Sequence, residues 1–211
     1  MEPPAFPLEV ALRDGTTVLI RPIEPHDKQR MIDGFERLSE ESRYRRFLAP
    51  VTRLSEEQLT NLTEVDHVDH EALVALAADE AGQPGLGVAR YVRLTDRPTV
   101  AEAAVTVVDD AQGKGLGSVL LALLGQVARE RGIERFRAYV LESNRPMLEI
   151  LEQLGAEAHR DSPGLLVVDA VLPTEPEDAP GEVARRVLRA VAQGKVGEVV
   201  PDAGLRRRPP G

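Results

Sequence analysis

Residues 112–117 read Gln112-Gly113-Lys114-Gly115-Leu116-Gly117. They stand between the apolar run Ala101-Glu102-Ala103-Ala104-Val105-Thr106-Val107-Val108 and a long stretch with helical spacing. A strand, a glycine-rich turn and a helix N-terminus in that order hold phosphates. Glycines let the backbone come close, the first helical N–H groups lack internal partners, and the helix dipole favours an anion there. Two common phosphate loops fail against these letters. A G-x-x-x-x-G-K-[ST] loop would need Gly where Val108 stands, and here Gly115 follows Lys114. The G-x-G-x-x-G fingerprint would need Gly at Ser118 or Leu120. The spacing that fits is Gln-x-x-Gly-x-Gly, on Gln112, Gly115 and Gly117. Taken alone, it equally describes an ordinary turn between strand and helix, so its surroundings decide.

Outward from this turn, hydrophobic periodicity predicts a mixed α/β chain. Strands are expected over Thr16–Ile23, Glu71–Ala78, Leu86–Leu94, Val100–Val108, Phe136–Leu141 and Leu165–Leu172. Helices are expected from Asp27 to Leu38, over Glu40–Phe47, after the capping pair Ser55 and Gln58, and over Gly115–Arg131, closed by Gly132. A further helix starts at Asn144, tolerates Pro146 in its first turn and runs through Leu148, Leu151 and Leu154 to Gly155. Residues 1–172 are thus read as one domain and Pro173–Gly181 as a linker. Residues 182–211 are read as a short amphipathic helix (Val183, Val187, Leu188, Val191) with a tail ending in Arg206–Gly211. That helix would dock on the chain's own surface or on a dimer partner; the oligomeric state, monomer or homodimer, stays open.

Composition narrows the class. With 211 residues, 42% apolar and 29% charged, the chain reads as a globular protein of one good-sized domain. No segment matches a membrane span or a signal peptide, which suits a cytoplasmic home. Cysteine is absent, so a disulfide framework, a thiolate metal site and a cysteine nucleophile are excluded. The net charge of −9 argues against a general nucleic-acid binder. His67 and His70, flanked by Asp66 and Asp69, make a weak metal pair, and no metal is expected.

The order of elements and the Gln112, Gly115, Gly117 spacing resemble the GNAT superfamily of acyl-CoA-dependent N-acetyltransferases. So does the later helix Asn144-Arg145-Pro146-Met147-Leu148-Glu149-Ile150-Leu151-Glu152-Gln153-Leu154-Gly155. Upstream, Ser42-Arg43-Tyr44-Arg45-Arg46-Phe47, Leu62-Thr63-Glu64-Val65-Asp66-His67 and Gly87-Val88-Ala89-Arg90-Tyr91 look like the acetyltransferase domain of bacterial protein lysine acetyltransferases of the Pat type. The resemblance covers roughly Leu12 to Leu172. It implies a central mixed, mostly antiparallel sheet flanked by helices, with the fourth and fifth expected strands splayed apart. Pat-type domains are usually fused to a second module; none is read in these residues, so regulation of fused members is not expected here.

The resemblance also implies the chemistry. Acetyl-CoA is the cosubstrate, and protein lysines are the acceptors, with acyl-CoA synthetases as the substrate class. Its pantetheine arm would use backbone groups of Thr106, Val107 and Val108. Its diphosphate would lie on the amides of Gln112, Gly113, Lys114, Gly115, Leu116, Gly117 and Ser118, with the Lys114 charge at the rim. Asn144 is a candidate on the thioester side, although capping its helix could explain it. The Val107 N–H is the candidate for oxyanion stabilisation. Glu102 is the carboxylate inside an apolar run. There it would lose solvent, which raises a carboxyl's pKa and makes it a better base, and by position it matches the superfamily's catalytic glutamate. The other reading is an exposed edge-strand Glu paired with an Arg. Many superfamily members carry a Tyr general acid seven residues after the helix Asn, where Leu151 stands; Tyr44 and Tyr91 are the alternatives. Without cysteine, direct transfer in a ternary complex is expected. A small-amine acetyltransferase and a non-catalytic acyl-CoA sensor that binds a partner through the 182–192 helix remain rival functions.

Overall fold

A computed structural model describes residues 4–153, 155–179 and 182–192; Leu154 and the Arg206–Gly211 tail lie outside these. The strands are β1 (Leu8–Ala11), β2 (Thr17–Pro22), β3 (His70–Ala77), β4 (Gly85–Leu94), β5 (Arg97–Val107), β6 (Arg135–Leu141), β7 (Glu157–Ser162) and β8 (Leu165–Val171). The helices are α1 (Lys28–Glu36), α2 (Glu40–Phe47), α3 (Glu56–Thr63), α4 (Leu116–Glu130), α5 (Arg145–Gln153) and α6 (Glu182–Ala192). One mixed sheet runs β1-β2-β3-β4-β5-β6-β8-β7. Every neighbouring pair is antiparallel except β5 and β6. This is the mixed, mostly antiparallel sheet flanked by helices expected from the sequence.

Why the sheet sits where it does follows from its faces. β3 buries almost every side chain, because helices cover both its sides. On one face α4 packs across β3, β4 and β5, supplying Leu116, Val119, Leu120, Leu123 and Leu124 to the main core. On the other face α1 packs on β4 and α2 on β5. α6 adds Ala184, Val187, Leu188 and Val191 to the same core beside α4, and the Arg186 guanidinium donates to the Ala11 carbonyl at 2.8 Å. Its apolar face therefore docks on this chain. A smaller cluster of Val140, Leu151, Val168 and Ala170 seats α5.

Two strands were not expected. β1 is four residues long in a proline-rich start, and β7 (Glu-Ala-His-Arg-Asp-Ser) shows no alternation because it is an exposed edge held only by β8.

The feature that positions the site is the parting of β5 from β6. Their pairing covers Val100, Ala101 and Glu102 against Arg135, Phe136 and Arg137, and stops there. β5 stays paired with β4 through Val107, while β6 turns to pair with β8 along its whole length. A wedge opens beyond Glu102.

Candidate functional site

The wedge leads into a cleft of about 300 Å3 between β5, the glycine turn and α5. Its lining includes Thr106, Val107, Gln112, Gly113, Gly115, Leu116, Gly117, Ser118 and Asn144, so the structure brings together most of the residues singled out in sequence. Gly113 and Gly115 have φ of +74° and +92°, the left-handed region where a side chain costs energy, which is why the turn needs glycine at these places. The Gln112 side chain donates to the Val107 carbonyl at 3.0 Å and to Asp109 Oδ1 at 3.2 Å, tying the turn back to β5. α4 then begins at Leu116 with its first N–H groups directed at the cleft end, the geometry that favours an anion. Behind the cleft, Gly87 on β4 lets β4, β5 and α4 pack closely: a Cβ there would meet the Thr106 carbonyl at 3.0 Å and Leu120 Cδ1 at 3.2 Å.

Backbone direction separates the β5 residues. The Val108 N–H donates to the Leu86 carbonyl at 3.0 Å, towards β4, and Val108 is buried away from the cleft. Strand amides alternate in direction, so Thr106 shares Val108's orientation while Val105 and Val107 face the wedge. Val105 also lines the cleft, and sequence reasoning did not single it out. Lys114 is turned aside: its ammonium pairs with Asp14 at 2.9 Å, and that hydrogen bond holds the Asp14 carboxyl down at about 2. The positive charge at the cleft comes instead from Arg13, Arg45 and Arg46. Arg45 and Arg46 belong to the quoted Arg43-Tyr44-Arg45-Arg46 run, whose charge was the missed signal; nothing local marked Arg13.

Glu102 is exposed, so the expected loss of solvent does not occur. The cause is the strand's two-residue period: Ala101 and Ala103 turn inward to α4, and Glu102 turns to the opposite face. There it pairs in register with Val92 on β4 and Arg137 on β6. Arg137 is engaged by Asp169 through two bonds of 2.8 and 2.7 Å. Glu102 therefore sits at the apex of the wedge, on a half of the sheet where Val92, Tyr139 and Val171 are 46%, 40% and 52% exposed. Burial lowers the pKa of Arg46, and the nearby Glu102 charge raises it.

The remaining candidates fall into place by contact. Asn144 Oδ1 accepts from the Met147 N–H at 3.4 Å, capping α5, and Asn144 also lines the cleft. Leu151 is buried in the α5 cluster. Tyr91 is fully buried on the α4 side; its hydroxyl donates to the Val68 carbonyl at 3.0 Å and accepts from Arg131 at 2.9 Å, so it cannot serve as the acid. Tyr44 is exposed on α2. His67 Nδ1 lies 2.8 Å from the buried Glu71, and His70 Nε2 lies 3.2 Å from Arg90. Burial, then the Arg90 charge, lowers the pKa of His70, which keeps it neutral near pH 7. Among the described residues no three His, Asp or Glu side chains gather as a metal site, and no helix is long and apolar enough to cross a membrane.

Comparison with known proteins agrees with this geometry. Residues 34–156 match the Acetyltransferase (GNAT) family. The chain is 37% identical over 195 residues to the acetyltransferase Pat of Mycolicibacterium smegmatis, covering 89% of this chain and 58% of that relative. It is 34% identical over 151 residues to the acetyltransferase PA5475 of Pseudomonas aeruginosa, covering 72% of this chain and 81% of the relative. Among solved structures, the GNAT domain of S. lividans PAT superposes with a TM-score of 0.72 at 37% identity, covering 81% of this chain and all of that domain.

Proposed function

The chain belongs to the Acetyltransferase (GNAT) family, and from that premise we propose that it is an acetyl-CoA-dependent N-acetyltransferase acting on protein lysine side chains. Acyl-CoA synthetases are the proposed substrate class, and the cytoplasm is the proposed setting. The observation that carries this reading is the parting of the strands: β5 and β6 separate immediately after Glu102, and the cleft opens three residues on, at Val105, and reaches the glycine turn.

The residues fit the cosubstrate. The amides of Gly113 to Ser118 and the Arg13 and Arg45 side chains would hold the phosphates. The wedge-facing backbone of Val105 and Val107 would receive the pantetheine arm in the manner of an added strand, with Asn144 on the opposite wall. Lysine has an ordinary pKa near ~10.4, so at neutral pH about one side chain in a thousand is free to attack. Glu102 would accept the proton as the amine nitrogen bonds to the thioester carbon and the C–S bond breaks. The position seven residues after Asn144 is Leu151, a hydrocarbon side chain with no proton to give, so CoA would leave as its thiolate. No cysteine is present in the chain to form a thioester-linked acyl-enzyme, which favours direct transfer.

Two observations weigh on the rivals. Glu102 opens onto an uncovered sheet face bearing Val92 and Tyr139, a platform suited to a protein acceptor, whereas a small amine calls for an enclosing pocket. The sensor reading needs the apolar face of α6 free, and that face is spent in the core. The test is incubation with acetyl-CoA and a purified acyl-CoA synthetase, read by mass spectrometry. Acetyl-lysine on the synthetase supports the reading. CoA release with small amines and no acetylated lysine overturns it.

A further inference from the structure

On the α1–α3 side of the sheet, next to the cleft, lies a second cavity of about 70 Å3. Its walls are mostly apolar, with Met31, Phe35, Leu54 and Leu62 among them. Arg46 and Thr106 line both this cavity and the cleft. We propose that the cavity receives the far end of an acyl chain that ends in a carboxylate, as in a succinyl thioester, while the thioester stays in the cleft. This rests on the reading of the cleft as an acyl-CoA site and adds the acyl class it selects.

The argument comes from charge and unmet hydrogen bonds. Arg30, Arg46 and Arg90 line the cavity against a single carboxylate, Asp27. Asp27 is already matched, by Arg21 at 2.7 Å and Arg30 at 3.2 Å. Arg46 has the Glu102 charge nearby. Arg90, only 7% exposed, has no carboxylate paired with it among the described residues. Its Nη atoms donate to the Leu62 carbonyl at 2.6 Å and contact His70 at 3.2 Å, while its buried Nε–H has no partner among the described residues. The Thr106 hydroxyl is likewise buried and without a partner among the described residues. Buried donors without acceptors are costly, and two of them on one cavity wall mark a place where a ligand oxygen would be welcome. Burial, and then the neighbouring Arg46 charge, pulls the pKa of Arg90 down to about 9; an anion between the two guanidinium groups would relieve the second cause. Size agrees as well. At roughly 10–15 Å3 per water-sized centre the space holds about five, and the CH2–CH2–CO2− end of a succinyl group has five heavy atoms. The reaction is unchanged: the lysine nitrogen gains the acyl carbon, the C–S bond breaks, the lysine proton goes to Glu102 and CoA leaves as thiolate. The product lysine then carries a negative charge.

Calorimetric titration with acetyl-, butyryl- and succinyl-CoA, alongside CoA-release rates, tests this. Butyryl matches the chain without the charge. Succinyl-CoA is expected to bind about tenfold or more tightly than butyryl-CoA, and Arg46→Met to erase that preference. Arg90→Met gives the same result if the variant folds; because Arg90 also holds the end of α3, Arg90→Lys is the second variant. Butyryl-CoA binding as well as succinyl-CoA, or an undiminished preference in Arg46→Met, overturns the proposal. If acetyl-CoA binds and transfers while succinyl-CoA does neither, this inference alone fails. If acetyl-CoA itself is not taken up, the reading of the cleft fails with it.

Discussion

Replacing Glu102 with Gln keeps the shape of the side chain and removes the group proposed to take the lysine proton. The cost to the fold is small. The side chain is exposed, and exposed changes usually stay within about 0.5 kcal/mol. Arg46 loses a supporting charge, a contact of the kind that contributes at most about 1 kcal/mol near the surface. A chain of this length shifts by roughly 2–4 °C per kcal/mol, so Tm should fall by no more than about 6 °C. Glu102 is not among the residues lining the cleft, so acetyl-CoA affinity should hold. Turnover should not. An acceptor lysine lies about three pH units below its pKa at pH 7.4, a handicap of about 4 kcal/mol, and loss of a general base typically costs ~10²–10⁴-fold. The assay is CoA release with an acyl-CoA synthetase as acceptor, followed from pH 7 to 9. The deficit should narrow as pH rises, because the free amine becomes about 100-fold more abundant over that range. Wild-type-like turnover, or a loss matched by an equal loss of acetyl-CoA affinity, would refute the assignment.

Gly87→Ala should place a Cβ 3.0 Å from the Thr106 carbonyl, a backbone atom that cannot swing aside. Overpacking of about 2 kcal/mol should lower Tm by roughly 4–8 °C, and a melt identical to wild type would contradict the close packing described for β4, β5 and α4. Asp27→Asn should strip the buried charge that Arg21 grips through two 2.7 Å bonds, costing about 3–5 kcal/mol and lowering Tm by roughly 10 °C in thermal melts. The same group gives a pH signature. Burial works against the Asp27 charge, but the Arg21 bonds and the Glu24 N–H outweigh it and hold its carboxyl below the usual range. Its stabilisation is therefore fully present above the unfolded pKa near 3.8 and lost as pH falls through the lower folded value. The Tm gap between wild type and Asp27→Asn should be flat above pH 5 and shrink below pH 4; a gap that grows on acidification would reverse the sign.

Much of the architecture could be read from residue patterns. Apolar alternation or continuous runs marked β2, β3, β4, β5, β6 and β8, and capping residues such as Ser55 and Asn144 marked helix starts. What escaped was decided by contacts distant in sequence. β7 is strand only because β8 pairs with it, and Lys114 leaves the cleft because Asp14, a hundred residues earlier, stands beside it. The exposure of Glu102 has a local reason: an apolar run in a sheet covered on one side by α4 still points every second residue the other way. The same period passes the wedge-facing backbone to Val105 and Val107 and takes it from Val108. The Arg45 and Arg46 contribution was present in the letters but became meaningful only when α2 settled over β5.

The central claim is that the glycine turn and the arginines beside it grip the phosphates of coenzyme A while the parted strands hold the arm that leads to Glu102. Calorimetric titration of the whole chain with acetyl-CoA measures this directly. The expected result is one molecule bound per chain with a Kd between about 1 µM and 1 mM, weakened by Arg45→Met and by added salt. No heat of binding, or binding indifferent to both Arg45→Met and salt, would contradict it.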